Sequence, residues 1–303
     1  MSASLTGTPA DVHTLSGVAA VTPRKNATIW SRFRKHKLAL IGMIVLLTMG
    51  LIAIAAPLLA PHSPNAVSLA NYREAPTSTY LLGTDAQGRD VLSRLMYAAR
   101  ISLSVGIVAV SLYVVIGTTL GGLAGYFGGW VDGIVMRIAD MVLSFPSIIV
   151  IITIVSILGP SITNVMLVIG LLGWPPIARL VRGEFLTLRE RDFVIASRAT
   201  GARDRRIIFR HVLPNATTPV IVNATFGMAQ AILLEAGLSF LGLGVQPPTA
   251  SWGNMLNGAQ SITTLEQMPW LWLPPGIAIV IAVLAINFVG DGFRDALDPR
   301  SHK

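Results

Sequence analysis

The sequence has no cysteine, which excludes disulfide bonds and thiolate chemistry anywhere in its 303 residues. Charged residues are also scarce, at 13% of the chain against about a quarter in typical soluble domains. Hydrophobic residues make up 52% of the chain, and the mean hydropathy is +0.64. This composition indicates a membrane protein.

The motifs of several enzyme classes are missing as well. The chain has no G-x-x-x-x-G-K-[ST] phosphate loop, so it does not bind ATP in that manner itself. No serine stands in a nucleophile-elbow setting. The histidines are too scattered for metal-ligand spacing: His13, His36, His62, His211 and His302. We predict a non-catalytic chain with no cofactor and no metal site of its own.

The net charge of +8 raises the question of nucleic acid binding. The arginines, however, lie beside apolar segments and have few aromatic residues among them, so membrane topology explains them better than nucleic acid does. Six apolar runs are long enough to span a bilayer: Leu38–Ala60, Ile101–Ala124, Ile134–Leu158, Ile162–Leu180, Pro219–Leu243 and Leu273–Val289. Pro146 lies inside the third run, where neighbouring helices can accommodate it.

The distribution of Lys and Arg orients these spans. With a cytoplasmic N-terminus, the outer loops 61–100, 159–161 and 244–272 hold only four basic residues, which are Arg73, Arg89, Arg94 and Arg100. Residues 1–30 are polar and lack an apolar face, so we predict a disordered cytoplasmic tail and not a signal peptide. Both termini are then cytoplasmic in a multi-pass protein of the bacterial cytoplasmic membrane.

One basic, amphipathic segment, Asp192–Pro214, separates two apolar spans on the cytoplasmic side. It is predicted to form two short helices around Gly201, the second ending at Pro214. Its arginines face water or a partner: Arg198, Arg203, Arg205, Arg206 and Arg210. Apolar faces come from Val194, Ile195, Ala199, Ile207, Ile208 and Val212. On charge alone, a solvated loop that only fixes topology would explain the segment.

The spacing within this segment favours a more specific interpretation. Ala196-Ser197, three residues, Gly201, nine residues and then His211-Val212-Leu213-Pro214 resemble the "EAA" loop of ABC-importer permeases. In that family the loop docks into a groove on a cytoplasmic ATPase. Ile195 stands where the family has Glu, and His211 where it has Ile. The resemblance implies these coupling residues: Ala196, Ser197, Arg198, Gly201, Asp204, His211, Leu213 and Pro214.

Further motifs resemble the dipeptide, oligopeptide and nickel branch of these permeases. They are GTDxxGRD within Leu81–Arg100, AGYFGGWVD at Ala124–Asp132, LSFLGLG at Leu238–Gly244, ASWGNML from Ala250 in place of PSWGNML, and GDGFRDALDPR at Gly290–Arg300. The resemblance extends from Trp30 to Arg300. It implies an all-α type I ABC-importer permease fold with six transmembrane helices and a cytoplasmic coupling-helix pair.

The resemblance also implies an assembly. Its other members would be a second homologous permease, two cytoplasmic ATPases that bind ATP and Mg, and an extracytoplasmic substrate-binding protein; no nucleic acid takes part. The chain would divide into a tail at 1–30, a first transmembrane helix with an extracytoplasmic segment at 31–100, the permease domain at 101–292 and a cytoplasmic tail at 293–303. Dipeptides, oligopeptides and nickel all remain open as cargo.

Polar and small residues near or within the spans allow more than one interpretation. Gly117, Gly121 and Gly125 place a smooth ridge on one helix, which predicts close helix packing. Asp85, Arg89, Asp90 and Arg94 could form a site by their chemistry alone, but they are predicted instead to pair with one another and to cap a helix.

Glu235 lies in mid-span, and Asp140 lies near a membrane interface. Each is a candidate pathway or gating residue. The alternatives are a buried hydrogen bond for Glu235 and a local ion pair with Arg137 for Asp140.

Two other classes of protein remain possible from the sequence. An ion-driven secondary transporter could use Glu235 as its proton carrier, but the two repeated halves typical of that class are not visible. A membrane scaffold without transport would not need a buried carboxylate or a shaped cytoplasmic helix pair.

Overall fold

The structure, a computed structural model, describes residues 29–297, and within this range its regular secondary structure is helical apart from one isolated bridge between Thr84 and Asp90. The predicted tail at 1–30 lies almost entirely outside the described residues. The helices are α1 Ile29–Phe33, α2 Lys37–Leu59, α3 Val91–Phe127, α4 Gly129–Leu143, α5 Ser147–Leu158, α6 Ile162–Leu172, α7 Trp174–Leu188, α8 Asp192–Ala199, α9 Asp204–Ile207, α10 Leu213–Phe240, α11 Trp252–Asn257, α12 Ile262–Gln267 and α13 Leu273–Leu297. Short 3-10 turns lie at Leu69–Asn71 and Pro269–Leu271.

Five helical runs of the described chain are long and apolar enough to cross a membrane. They are Lys37–Leu59, Val91–Phe127, Ile162–Leu188, Asp204–Phe240 and Leu273–Leu297. The predicted continuous span Ile134–Leu158 is instead a pair, α4 and α5, bent by 83°. Pro146 causes the break, because it has no N–H to donate and disfavours helical geometry in the residue before it. The helices α4 and α5 count as a sixth membrane span only if the bent pair crosses the membrane as one unit.

Other helix ends also differ from the predicted boundaries, most clearly at Pro214 and near the C-terminus. Pro214 does not end the second helix of the basic segment, since the helical run continues from Asp204 to Phe240. A π-helical turn at Ile208–Val212 precedes the proline, and Leu213 N–H donates to Ile208 O, five residues back. Pro214 then lies in the first turn of α10, where no N–H is needed. Similarly, α13 continues to Leu297, into the predicted C-terminal tail.

The 37-residue helix α3 organises the bundle, packing against α2, α6, α7 and α10. At about 1.5 Å per residue it is roughly 55 Å long, more than the thickness of a bilayer core. It also runs through the predicted domain boundary between residues 100 and 101 without a break.

The predicted glycine ridge is confirmed as the contact between α3 and α7. A Cβ atom would lie 2.7 Å from Ile177 Cβ at Gly117, 2.3 Å from Ala178 O at Gly121, and 2.6 Å from Phe185 Cβ at Gly125. Side chains would therefore force the two helices apart.

The loop that precedes α3 is held by the predicted ion pairs. Asp85 Oδ2 lies 2.7 Å from Arg89 Nε and 3.4 Å from Arg94 Nε. Asp90 caps α3, since its carboxylate accepts from Ser93 N–H at 3.0 Å. The structural interpretation of these four charged residues is confirmed.

Candidate functional site

The basic segment folds as two helices joined by a Schellman turn. Gly201 N–H donates to Arg198 O at 3.0 Å, and Ala202 N–H donates to Ser197 O at 3.1 Å, which together close the C-terminus of α8. Gly201 has φ +79°, the left-handed conformation that glycine adopts most readily. The chain then reverses into α9.

Contacts with the end of α3 hold this turn in place. The Tyr126 hydroxyl donates to Asp204 Oδ1 at 2.6 Å, and the guanidinium of Arg198 lies 5.9 Å from the centre of the Tyr126 ring. Arg189 Nη1 donates to the carbonyl oxygens of Gly125 and Tyr126 at 3.3 and 3.4 Å. Motif spacing identified Asp204 but not Tyr126, which lies 78 positions earlier in the chain.

The side chains of the segment divide into an inner and an outer set. Val194, Ile207 and Val212 are buried in the main core. Ile195 is 52% exposed and Phe209 62% exposed, although Ile195 was predicted to belong to an apolar face. We name as the coupling surface, after the role that the sequence predicts for this segment, the exposed residues Phe193, Ile195, Arg203, Arg205, Arg206 and Phe209, four of which line one shallow depression.

The other motif residues of the loop are divided between exposed and half-buried positions. Ala196 is exposed and Ser197 is half-buried. His211 and Leu213 are half-buried, and the carbonyl oxygen of His211 accepts from Asn215 Nδ2 at 2.6 Å. Pro214 is exposed beside the π-helical turn.

Glu235 lies on α10, far from this surface. It follows Val212 by 23 residues, or roughly 35 Å at the rise of an α-helix. The side chain is fully buried, and its oxygens accept from Ser102 Oγ of α3 at 3.1 Å and from Ser239 Oγ at 2.7 Å.

The same two serines bind the segment that follows α10. Ser102 Oγ accepts from Trp252 N–H at 3.2 Å, and Ser239 Oγ accepts from Val245 N–H at 3.1 Å. We call these three side chains and two N–H groups the Glu235 network. It joins α3 and α10 to the 245–252 segment, and this geometry favours the buried-hydrogen-bond interpretation of Glu235.

Asp140 is placed differently from the prediction. The expected ion pair with Arg137 is wrong, because Asp140 pairs with Arg179 of α7, 39 residues further along the chain. Asp132 of α4 likewise binds Arg182 of α7, whose Nη2 lies 2.6 Å from Asp132 Oδ2. The two pairs fasten α4 to α7. The side chain of Asp140 is 54% exposed, so it carries no burial cost comparable to that of Glu235.

The sequence matches two described families. Residues 117–303 match the family described as binding-protein-dependent transport system inner membrane component. Residues 26–76 match the N-terminal TM domain of oligopeptide transport permease C.

Individual proteins are similar over most of their length. The dipeptide transport system permease protein DppC of Alkalihalophilus pseudofirmus is 45% identical over 93% of this chain and 91% of its own. The glutathione transport system permease protein GsiD of Pectobacterium atrosepticum is 42% identical over 89% of this chain and 90% of its own. A solved chain of the MetNI methionine ABC transporter in an inward-facing conformation has a TM-score of 0.54 at 22% identity, covering 68% of this chain and 98% of that one. This last similarity shows a shared fold.

Proposed function

Since this chain belongs to the family of binding-protein-dependent transport system inner membrane components, and is thus a permease subunit of an ABC importer, we propose that it helps to form the pathway of a di- or oligopeptide importer. Relatives named for dipeptide and glutathione transport support a peptide cargo. The other subunits would be a second permease, two ATPases that hydrolyse ATP with Mg, and an extracytoplasmic binding protein. The tail and domain divisions predicted from the sequence remain part of this proposal.

The coupling surface carries the mechanism. When the ATPases close on ATP, they would push on α8 and α9, whose fixed turn limits local deformation. The Tyr126–Asp204 hydrogen bond would transmit this displacement to α3, and the continuous run from Asp204 to Phe240 would transmit it to α10. The helices α3 and α10 meet again at the Glu235 network, where they bind the 245–252 segment at the side opposite the coupling surface. The observation that best supports the proposal is this direct connection of an exposed surface to the two longest helices.

Uptake of labelled dipeptide into proteoliposomes tests the proposal. The complete complex with its binding protein should take up the dipeptide only when ATP reaches the ATPases, and a proton ionophore should leave uptake unchanged. Labelled nickel serves as the alternative cargo and should not accumulate. Uptake that needs no ATP and collapses with the ionophore would identify a secondary transporter instead.

Topology gives a separate prediction. A reporter fused after Arg300 should be cytoplasmic, and one inserted near Pro248 should be external, because the outer loops contain few basic residues. A reporter inserted after Ala60 provides an external reference. If α4 and α5 form a re-entrant loop, five crossings place the termini on opposite sides. An external signal after Arg300 would therefore disprove the six-span arrangement.

The bond between Tyr126 and Asp204 predicts a coupling defect. Removing its hydroxyl in Tyr126→Phe should cost about 1 kcal/mol, or roughly a fivefold fall in ATP-driven uptake, with membrane insertion unchanged. Asp204→Ala, which removes the acceptor, should have a similar effect, and the double variant should be no worse than either single one. Tyr97→Phe, near the other end of α3, is the matched control. Additive losses in the double variant would show that the two residues act independently.

A further inference from the structure

A cavity of about 330 Å³ lies at the end of α3 opposite the coupling surface. It is bordered by the segment before α3 and by the segment between α10 and α11. Among the described residues that line it, three arginines face a single carboxylate: Arg73, Arg89, Arg94 and Asp85. The lining therefore carries an excess of positive charge at the outer face predicted from topology.

Two of these arginines are already held by the fold. Arg89 binds Asp85 through Nε at 2.7 Å and Gln87 through Nη2 at 2.6 Å. Arg94 is 3% exposed and donates through Nη1 to the carbonyl oxygens of Pro64 and Pro248 at 3.2 and 3.3 Å. These bonds fix the wall of the cavity and use the one carboxylate in its lining.

Arg73 differs from both. Its Nε is buried without a hydrogen-bond partner among the described residues, and its guanidinium lies 5.1 Å from the centre of the Tyr72 ring. Leaving a buried donor unpaired is unfavourable, and more so when the group is charged. The backbone of Arg73 is also in the left-handed region at φ +49°, and its N–H is held by Asp85 O at 3.1 Å. A half-buried guanidinium on a strained backbone, with one donor unpartnered among the described residues, is suited to bind an anionic group.

We propose that this cavity binds the terminal carboxylate of a small peptide through Arg73, an inference that rests on the proposed peptide cargo. A guanidinium presents paired N–H groups that match the two oxygens of a carboxylate. The volume lies at the lower end of the range for small-molecule pockets, about 300 to 1,000 Å³. Val91, Val245 and Met255 line the same cavity and offer apolar contact to a peptide side chain. The permease would thus hold the peptide briefly at the outer face.

Binding of alanyl-alanine and of its C-terminal amide tests this assignment. The transport complex is purified through a tag on this chain, freed of its binding protein, and titrated with each probe by calorimetry. The wild-type complex should bind the free dipeptide at least tenfold more tightly than the amide, a comparison that needs no variant. Arg73→Gln should lower dipeptide affinity at least tenfold. Arg100→Gln is the matched control, because Arg100 also lies over a tyrosine ring, that of Tyr97, but is exposed and outside the cavity.

Equal affinity for the dipeptide and its amide, or unchanged affinity in Arg73→Gln, would overturn the assignment. Dipeptide binding that appears only when the binding protein is present would overturn it too, because the peptide would then be held by that protein. The result is separable from the test of transport. A complex with Gly201→Val should lose uptake but keep its affinity for the dipeptide. ATP-independent uptake would reject the importer mechanism, but it would leave the affinities for the dipeptide and for its amide unchanged.

Discussion

Gly201→Val should abolish ATP-driven uptake while leaving membrane insertion intact. Gly201 has φ +79°, and apart from its two chain neighbours no atom of residues 29–297 lies within 4 Å of the position that a Cβ would take. The cost is therefore backbone strain and not a clash with the rest of the chain. Left-handed geometry costs an ordinary residue about 1 to 2 kcal/mol, and a β-branched side chain is a clear outlier there. The valine should open the Schellman turn and rotate α8 away from α9.

Gly201→Asn is the matched control for this prediction. Asparagine tolerates left-handed geometry better than other side chains, so this variant should retain the turn. Its side chain would still project from the loop towards the ATPase. Loss of uptake in both variants would mean that the ATPase needs the space beside residue 201. Loss of uptake in Gly201→Val alone would mean that the left-handed turn is the feature that coupling needs. Normal uptake and normal ATPase stimulation with valine would contradict the assignment of the coupling loop.

The sequence predicts the helices well because a long apolar run leaves little choice of structure in lipid. Each backbone group must be bonded within its own segment, so runs such as Leu38–Ala60 become helices almost regardless of detail. The glycine ridge was equally predictable, since close helix contact depends on small side chains at a fixed spacing. The sequence does not predict the break at Pro146, because a proline inside a membrane span is tolerated when neighbouring helices satisfy the backbone group that it frees.

Contacts between residues that lie far apart in the chain are the main features that the sequence does not predict. Asp140 was assigned to Arg137 by helix spacing, but the packing of α4 against α7 brings Arg179 to it instead. The sequence does not single out Tyr126, because most other residues of its motif, AGYFGGWVD, are small or apolar. Such contacts depend on how the helices pack, and one sequence without structure does not contain that information.

Glu235→Gln should lower uptake and partly uncouple ATP hydrolysis from it, with expression and assembly close to wild type. The carboxylate accepts hydrogen bonds from Ser102 and Ser239, one through each oxygen. An amide has one acceptor oxygen and one NH2 donor group, so one serine would accept from the amide and its own hydroxyl proton would lose its acceptor. Leaving a buried donor without an acceptor costs about 1 to 3 kcal/mol. The loss falls where α3 and α10 hold the 245–252 segment, so movement of the coupling surface would reach that segment less reliably.

Ser102→Ala decides whether the hydrogen bonds or the titratable group of Glu235 matters. If the network transmits movement, this variant should reproduce the uncoupling, because it removes both the bond to Glu235 and the acceptor for Trp252 N–H. Ser104→Ala is the control, since the Ser104 hydroxyl donates to Ile101 O of its own helix and to no other group in the described part of the chain. Uncoupling in Glu235→Gln with a silent Ser102→Ala would instead place the carboxylate in the transport pathway. If neither variant changes coupling at unchanged stability, Glu235 contributes only to packing, and the pathway follows other residues.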